Sequence, residues 1–172
     1  MYALKNLKMY RIALLLGLFL ASCQTPNQTP NSMNNQTLLQ ANDALYSGLN
    51  EMFIGNLQPL EALWSHSDSI SYMGPFGGYL RGWDAVHKDF QAVTDMKIGG
   101  KISCELLGSN VVGTVGYISC VEVGENIDPS GQAVAVRHRA TNIFQWENDQ
   151  WRLVHHHTDI SNQLETAFDK SE

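Results

Sequence analysis

Basic residues are scarce. The 172-residue chain holds 11 Lys and Arg against 17 Asp and Glu, and three of the eleven (Lys5, Lys8, Arg11) fall within the first 22 residues. Beyond residue 22 the balance is 8 basic against 17 acidic, a formal charge of −9. A surface this acidic repels polyanions, so nucleic acid is excluded as a partner and a basic patch cannot provide membrane attachment. Long apolar runs are missing too. The run at residues 12–20, Ile-Ala-Leu-Leu-Leu-Gly-Leu-Phe-Leu, falls well short of the roughly 20 residues that a spanning helix needs. The Ser and Thr residues follow no nucleophile-elbow pattern. The Gly-rich stretch at 74–78 lacks the helix start of a phosphate cradle, which argues against a nucleotide site. Cysteine is limited to Cys23, Cys104 and Cys120.

A basic n-region followed by a short apolar core suits a secretory signal peptide. Leu20-Ala21-Ser22-Cys23 closes it and resembles a bacterial lipobox, which implies that Cys23 becomes the lipidated N-terminus. Gln24 after it resembles lipoproteins sorted to the outer membrane. The expected address is therefore the cell envelope, anchored by acyl chains in outer-membrane lipid and facing the periplasm. Residues 1–22 are then the signal peptide. Residues 23–36, polar, uncharged and carrying two Pro, form a flexible tether.

The folded part, 37–162, opens with Leu38, Leu45, Leu49, Met52 and Phe53 at helical spacing. Pro59 suits the first turn of a second helix. A short strand at 70–73, the Gly-rich turn and a return strand at 79–81 lead to a third helix bearing Trp83, Val86, His87, Phe90 and Val93 on one face. Strands follow at 97–107, 111–125, 132–146 and 151–159, and residues 163–172 form a polar tail. Helices followed by long antiparallel strands make an α+β pattern, with helices on one face of a curved sheet. A turn at Ser109-Asn110 would set Cys104 opposite Val115, about 17 Å along the strand from Cys120. That separation predicts two buried free thiols.

Leu63-Trp64, Met73-Gly74-Pro75-Phe76-Gly77-Gly78, Arg81-Gly82-Trp83-Asp84, Arg139-Ala140-Thr141 and the run from Trp151 through His155-His156-His157-Thr158-Asp159 resemble SnoaL-like domains. These belong to the nuclear-transport-factor-2-like, cystatin-like superfamily. The resemblance spans about residues 38–162 and implies a cone-shaped antiparallel sheet closed by three N-terminal helices. The superfamily includes cyclases, isomerases, dehydratases, epoxide hydrolases and silent association domains, so the resemblance implies a cavity and no single reaction.

Residues 137–159 hold four of the six histidines. A two-residue turn at Asn148-Asp149 pairs Trp146 with Trp151, Phe144 with Leu153, Asn142 with His155, Ala140 with His157 and His138 with Asp159, all on one face. A bulge would exchange the faces. In this register His155 or His157 serves as acid or base, oriented by Asp159. The alternative is a satisfied polar pair in a cavity that only binds. Tyr72, Trp83, His87, Phe90, His138, Arg139 and Asn142 are the candidate ligand contacts. Arg137 and Arg139 either hold an anion or pair with carboxylates such as Glu122. Of the three consecutive histidines only His155 and His157 can converge, and no metal or organic cofactor is expected. Two functions stay open. One is a cavity for a small, partly apolar molecule, with or without proton-transfer or hydrolytic chemistry. The other is a non-catalytic module, sensing a ligand or forming a homodimer through the open sheet face.

Overall fold

A computed structural model describes residues 32–75 and 77–159; the expected signal peptide, Cys23, most of the expected tether and the expected 163–172 tail lie outside the described residues. Helix α1, Asn35–Phe53, starts where Asn34 and Thr37 cap each other: the Thr37 N–H donates to Asn34 Oδ1 at 3.0 Å and the Asn34 N–H to Thr37 Oγ1 at 3.2 Å. This reciprocal box satisfies two of the donors that a helix start leaves open. Its buried stripe is Leu38, Leu45, Leu49, Met52 and Phe53, interrupted by Asn42 and Tyr46. Helix α2 is Gln58–Leu63, with Pro59 in its first turn, and α3 is Trp83–Met96, ended by Lys97 in a left-handed conformation.

Strands β1 (Ser71–Met73), β2 (Leu80–Arg81), β3 (Gly100–Val112), β4 (Val115–Ile127), β5 (Ala133–Glu147) and β6 (Gln150–Thr158) form one curved sheet in the order β2-β1-β6-β5-β4-β3. All pairings are antiparallel except β1 with β6. The helices cover one face, and Leu38, Leu45, Leu60, Trp64, Phe90, Ile118, Phe144 and Leu153 pack between the layers. Edge strand β3 is fastened to α1 by Asn50. The Ile102 N–H donates to Asn50 Oδ1 at 2.8 Å, and Asn50 Nδ2 donates to the Ile102 carbonyl at 2.9 Å.

Two registers differ from the sequence expectation. The β3–β4 turn lies at Gly113-Thr114, and Ser109 and Asn110 stay inside β3, paired with Ile118 and Tyr117. Gly113 supplies the positive φ, 58°, that the turn requires. Cys104 therefore stands opposite Glu122 and Cys120 opposite Leu106, with a bulge between Leu106 and Gly108. Both cysteines are free thiols, as expected, but Cys104 is only half-buried and the two are diagonal neighbours.

The β5–β6 turn does fall at Asn148-Asp149, at φ 49° and 61°, and it pairs Trp146 with Trp151 and Phe144 with Leu153. Beyond that a bulge at Val154 changes the partners: Ile143 faces His155, Asn142 faces His156, Thr141 faces His157 and Ala140 faces Thr158. The bulge sits where β6 changes neighbour. Leu153 bridges to Trp64 and accepts from the Ser65 N–H at 2.9 Å, whereas β1 pairs only from His155 onward. One extra residue reverses every side chain after it. The expected shared face of His155, His157, Asn142 and Ala140 is thereby corrected: His156 and Thr158 point inward, and His155 and His157 point outward.

Candidate functional site

The inward face of β4, β5 and β6 is apolar near the β5–β6 turn and becomes polar further along. Ile118 is followed by Cys120 and Glu122, Phe144 by Asn142 and His138, and Leu153 by His156 and Thr158. Helix α1 presents Asn42 and Tyr46, one turn apart, to the same region. Glu122 and His156 are each 3 % exposed and Asn142 is fully buried, so these groups have exchanged water for one another.

Their contacts form a continuous network. His156 Nδ1 lies 2.6 Å from Asn142 Oδ1, Asn142 Nδ2 donates to Asn42 Oδ1 at 2.8 Å, and the same nitrogen reaches the Tyr46 oxygen at 3.4 Å. The Tyr46 hydroxyl donates to Glu122 Oε1 at 3.1 Å and lies 3.1 Å from Cys120 Sγ. Because Asn142 Oδ1 can only accept, the imidazole proton is on Nδ1. The Nε2 lone pair then faces Glu122 Oε1 across 3.6 Å. Burial pushes the Glu122 carboxyl up, opposed by the Tyr46 hydrogen bond, a contact with Thr158 and the nearby His138. Burial likewise pushes His156 down to about 3, helped by His155 and His157. Both effects favour a carboxylic acid beside a neutral imidazole over an ion pair.

Around this pair stand further candidates. Tyr72 stacks on His156 with ring centroids 5.7 Å apart and planes at 15°, and Phe90 meets Tyr72 edge-on at 4.9 Å. His138, directly across from Glu122, has a buried Nδ1 without a hydrogen-bond partner. A polar atom left so beside a carboxylate marks where a water or ligand atom would sit.

The remaining predicted residues lie elsewhere. Trp83 and His87 belong to a separate, part-exposed group: Trp83 stacks on His66 at 4.3 Å, and His87 Nε2 lies 2.6 Å from Glu61 Oε1. Arg139 is exposed on the outer face, opposite Val121. Arg137 pairs with Glu105 at 3.3 Å, and Glu122 is unavailable to it, being interior. On that outer face His155 Nδ1 lies 2.7 Å from Ser71 Oγ, while His157 Nε2 lies 3.5 Å from Asp159. Burial and the neighbouring His157 lower the His155 pKa. The hollow of about 220 Å³ lined by Thr37, Gln40, Ala41, Leu63, Gln150 and Trp151 is at the tryptophan end, away from the imidazoles. Sequence reasoning missed Asn42, Tyr46, Glu122 and His156 as site residues. A signal existed for three of them, each a polar residue at a position where the helix or strand period calls for an apolar one.

The SnoaL-like domain family model matches residues 38–161. The chain belongs to this family. Among solved structures, the SnoaL-like domain resembles a candidate calcium/calmodulin-dependent protein kinase type II association domain from Thiobacillus denitrificans (21% identity, 73% of this chain and 95% of that one, TM-score 0.62). It also resembles a candidate dehydratase of the NTF2-like family from Streptomyces avermitilis (23% identity, 73% and 95%, TM-score 0.60). At these identities the likeness establishes the cystatin-like, NTF2-like fold. A curated relative, the F-box protein SKIP8 of Arabidopsis thaliana, is 21% identical over 104 residues, 60% of this chain; the match spans 42% of that protein's length.

Proposed function

We propose that the SnoaL-like domain binds a small, partly apolar molecule at the inner end of the cone, with Glu122 and His156 as its acid–base pair. The carrying observation is the buried 3.6 Å carboxyl–imidazole contact, with the unpartnered His138 Nδ1 beside it. Tyr72 and Phe90 supply the apolar wall. Tyr72, partly exposed and stacked on His156, is the ring against which a ligand packs. A neutral acid next to a neutral base in a water-poor site can move a proton between two positions of a bound molecule without creating an isolated buried charge. Hydrolytic chemistry would use the same pair to activate a water. This reading replaces His155, His157 and Asp159, which stand on the outer face, with His156 and Glu122.

The test is to purify the full chain from a bacterial envelope and extract it for mass spectrometry beside the Tyr72→Ala and Glu122→Gln variants. The wild type should carry a molecule that both folded variants lose. Equal recovery from all three would overturn the assignment.

The leader and Leu20-Ala21-Ser22-Cys23 support envelope attachment through a lipidated Cys23. Cys23→Ser should move the protein from the membrane to the soluble fraction; unchanged partition would remove the anchor.

A second reading is an association module acting through the outer sheet face. Val115 and Tyr117, 39% and 43% exposed, adjoin Ile143 there, and the solved structures with this fold include the association domain of C. elegans CaMKII. Sedimentation of the wild type against Tyr117→Glu decides it: a dimer that the variant splits supports this reading, and a monomer at all concentrations excludes it.

A further inference from the structure

Neither reading uses the two thiols. Cys104 and Cys120 both point to the inner face, on adjacent antiparallel strands, displaced by two residues: Cys120 is opposite Leu106 and Cys104 is opposite Glu122. The thiols are not equivalent. Cys120 is buried and its Sγ lies 3.1 Å from the Tyr46 hydroxyl, whereas Cys104 is half-buried on the edge strand and reachable from solvent.

We propose that Cys104 and Cys120 form a redox-active dithiol that closes to a disulfide by exchange with small-molecule disulfides, with Cys104 as the entry thiol and Cys120 as the resolving one. The two side chains already interact: a hydrogen bond between them lowers the pKa of Cys104, and the same bond, followed by burial, keeps the proton on Cys120. The Cys104 thiolate attacks one sulfur of a disulfide RSSR, forming a mixed disulfide and releasing RS⁻, which takes up the proton lost by Cys104. Cys120 then gives up its proton and attacks the Cys104 sulfur, and the second RS⁻ leaves as RSH. The protein loses two hydrogens and RSSR becomes two RSH, so electrons and protons balance.

Diagonal neighbours across an antiparallel pair have Cα atoms about 7–8 Å apart, just beyond the usual disulfide span of about 4.4–6.8 Å. Closure therefore shifts the edge strand along its partner by about 1 Å, which β3 can accommodate because it has a neighbour on one side only and a bulge at Leu107. The bond is expected to be strained and easily reduced. Its formation also pulls Cys120 Sγ off the Tyr46 hydroxyl, which remains bonded to Glu122. The redox state is thus coupled to the buried acid through one tyrosine.

The test uses the full chain carrying Cys23→Ser, so that only these two thiols are counted. Native protein is incubated with glutathione disulfide and followed by intact mass and peptide mapping. The expected product has lost two hydrogens, contains a Cys104–Cys120 crosslinked peptide, and reopens with excess reduced glutathione. Adding Cys120→Ser should trap glutathione on Cys104, and adding Cys104→Ser should slow modification of Cys120 at least about tenfold. Near-UV circular dichroism checks that each variant is folded. A wild type that stops at a glutathione adduct, or thiols that react only after unfolding, would overturn the proposal. So would equal rates at Cys104 and Cys120.

Discussion

Lowering the pH should unfold this domain through one imidazole. His156 has an ordinary value of 6.5 and a value of about 3 in the fold. A histidine depressed in this way contributes stability above 6.5, and that contribution is lost progressively as pH falls from 6.5 toward 3, because the unfolded chain takes the proton first. Within that window each pH unit is worth about 1.4 kcal/mol, so at pH 4.5, two pH units below 6.5, the loss is about 3 kcal/mol. Glu122 acts in the opposite sense. Its folded pKa lies above the ordinary 4.5, so its contribution is present below 4.5 and declines as pH rises toward its folded value. A His156→Gln variant keeps Glu122 and the amide contact to Asn142, which isolates the imidazole. Urea denaturation followed by tryptophan fluorescence gives the measurement. With a slope of about 2 kcal/mol/M, the wild-type midpoint should fall by about 1.5 M more than that of His156→Gln between pH 7.5 and 4.5. Parallel curves would refute the buried neutral imidazole. So would an NMR titration in which His156 protonates in the native state near pH 6.

Glu122→Gln should stabilise the domain at neutral pH, and the gap to wild type should widen as pH rises above 4.5; the same urea series checks the sign. Asn50→Ala removes both bonds to the Ile102 main chain and should cost about 2 kcal/mol, with faster exchange of the Ile102 amide. Gly100→Ala should cost more than about 3 kcal/mol: φ is 86° and the new methyl would meet the Glu125 carbonyl and, at 2.7 Å, Asn126 Cα. Gly108→Ala, which faces open space, should stay within about 0.5 kcal/mol in the same thermal melts.

Periodicity made the fold legible because long elements overdetermine it. The stripe on α1 has five apolar anchors, and β5 is 15 residues long, so an error of one position does not change the architecture. The site is different. In Trp151-Arg152-Leu153-Val154-His155-His156-His157 the alternation begins cleanly, but Val154 is apolar enough for either face and the three identical rings give no parity. Only the competition between Trp64–Ser65 and β1 for the edge of β6 selects the register, and that is a tertiary fact. The cysteines repeat the lesson. Ser109-Asn110 has turn chemistry, yet Gly113 offers the positive φ, and a shift of the turn brings together thiols that local reading placed far apart.

Asn42, Tyr46 and Glu122 occupy positions where the pattern of each element calls for an apolar side chain, and burying them together with His156 carries a desolvation cost that apolar replacements would avoid. A core needed for stability alone has no use for an acid and an imidazole that burial biases toward neutrality. Departures from local consistency concentrate at working sites, while surrounding elements supply the compensating stability. Here that compensation is the aliphatic and aromatic packing of Leu38, Leu45, Phe90 and Phe144. The inner end of the cone is therefore a better place to look for chemistry than the more conspicuous His155 and His157, whose outward position brings them into contact with solvent.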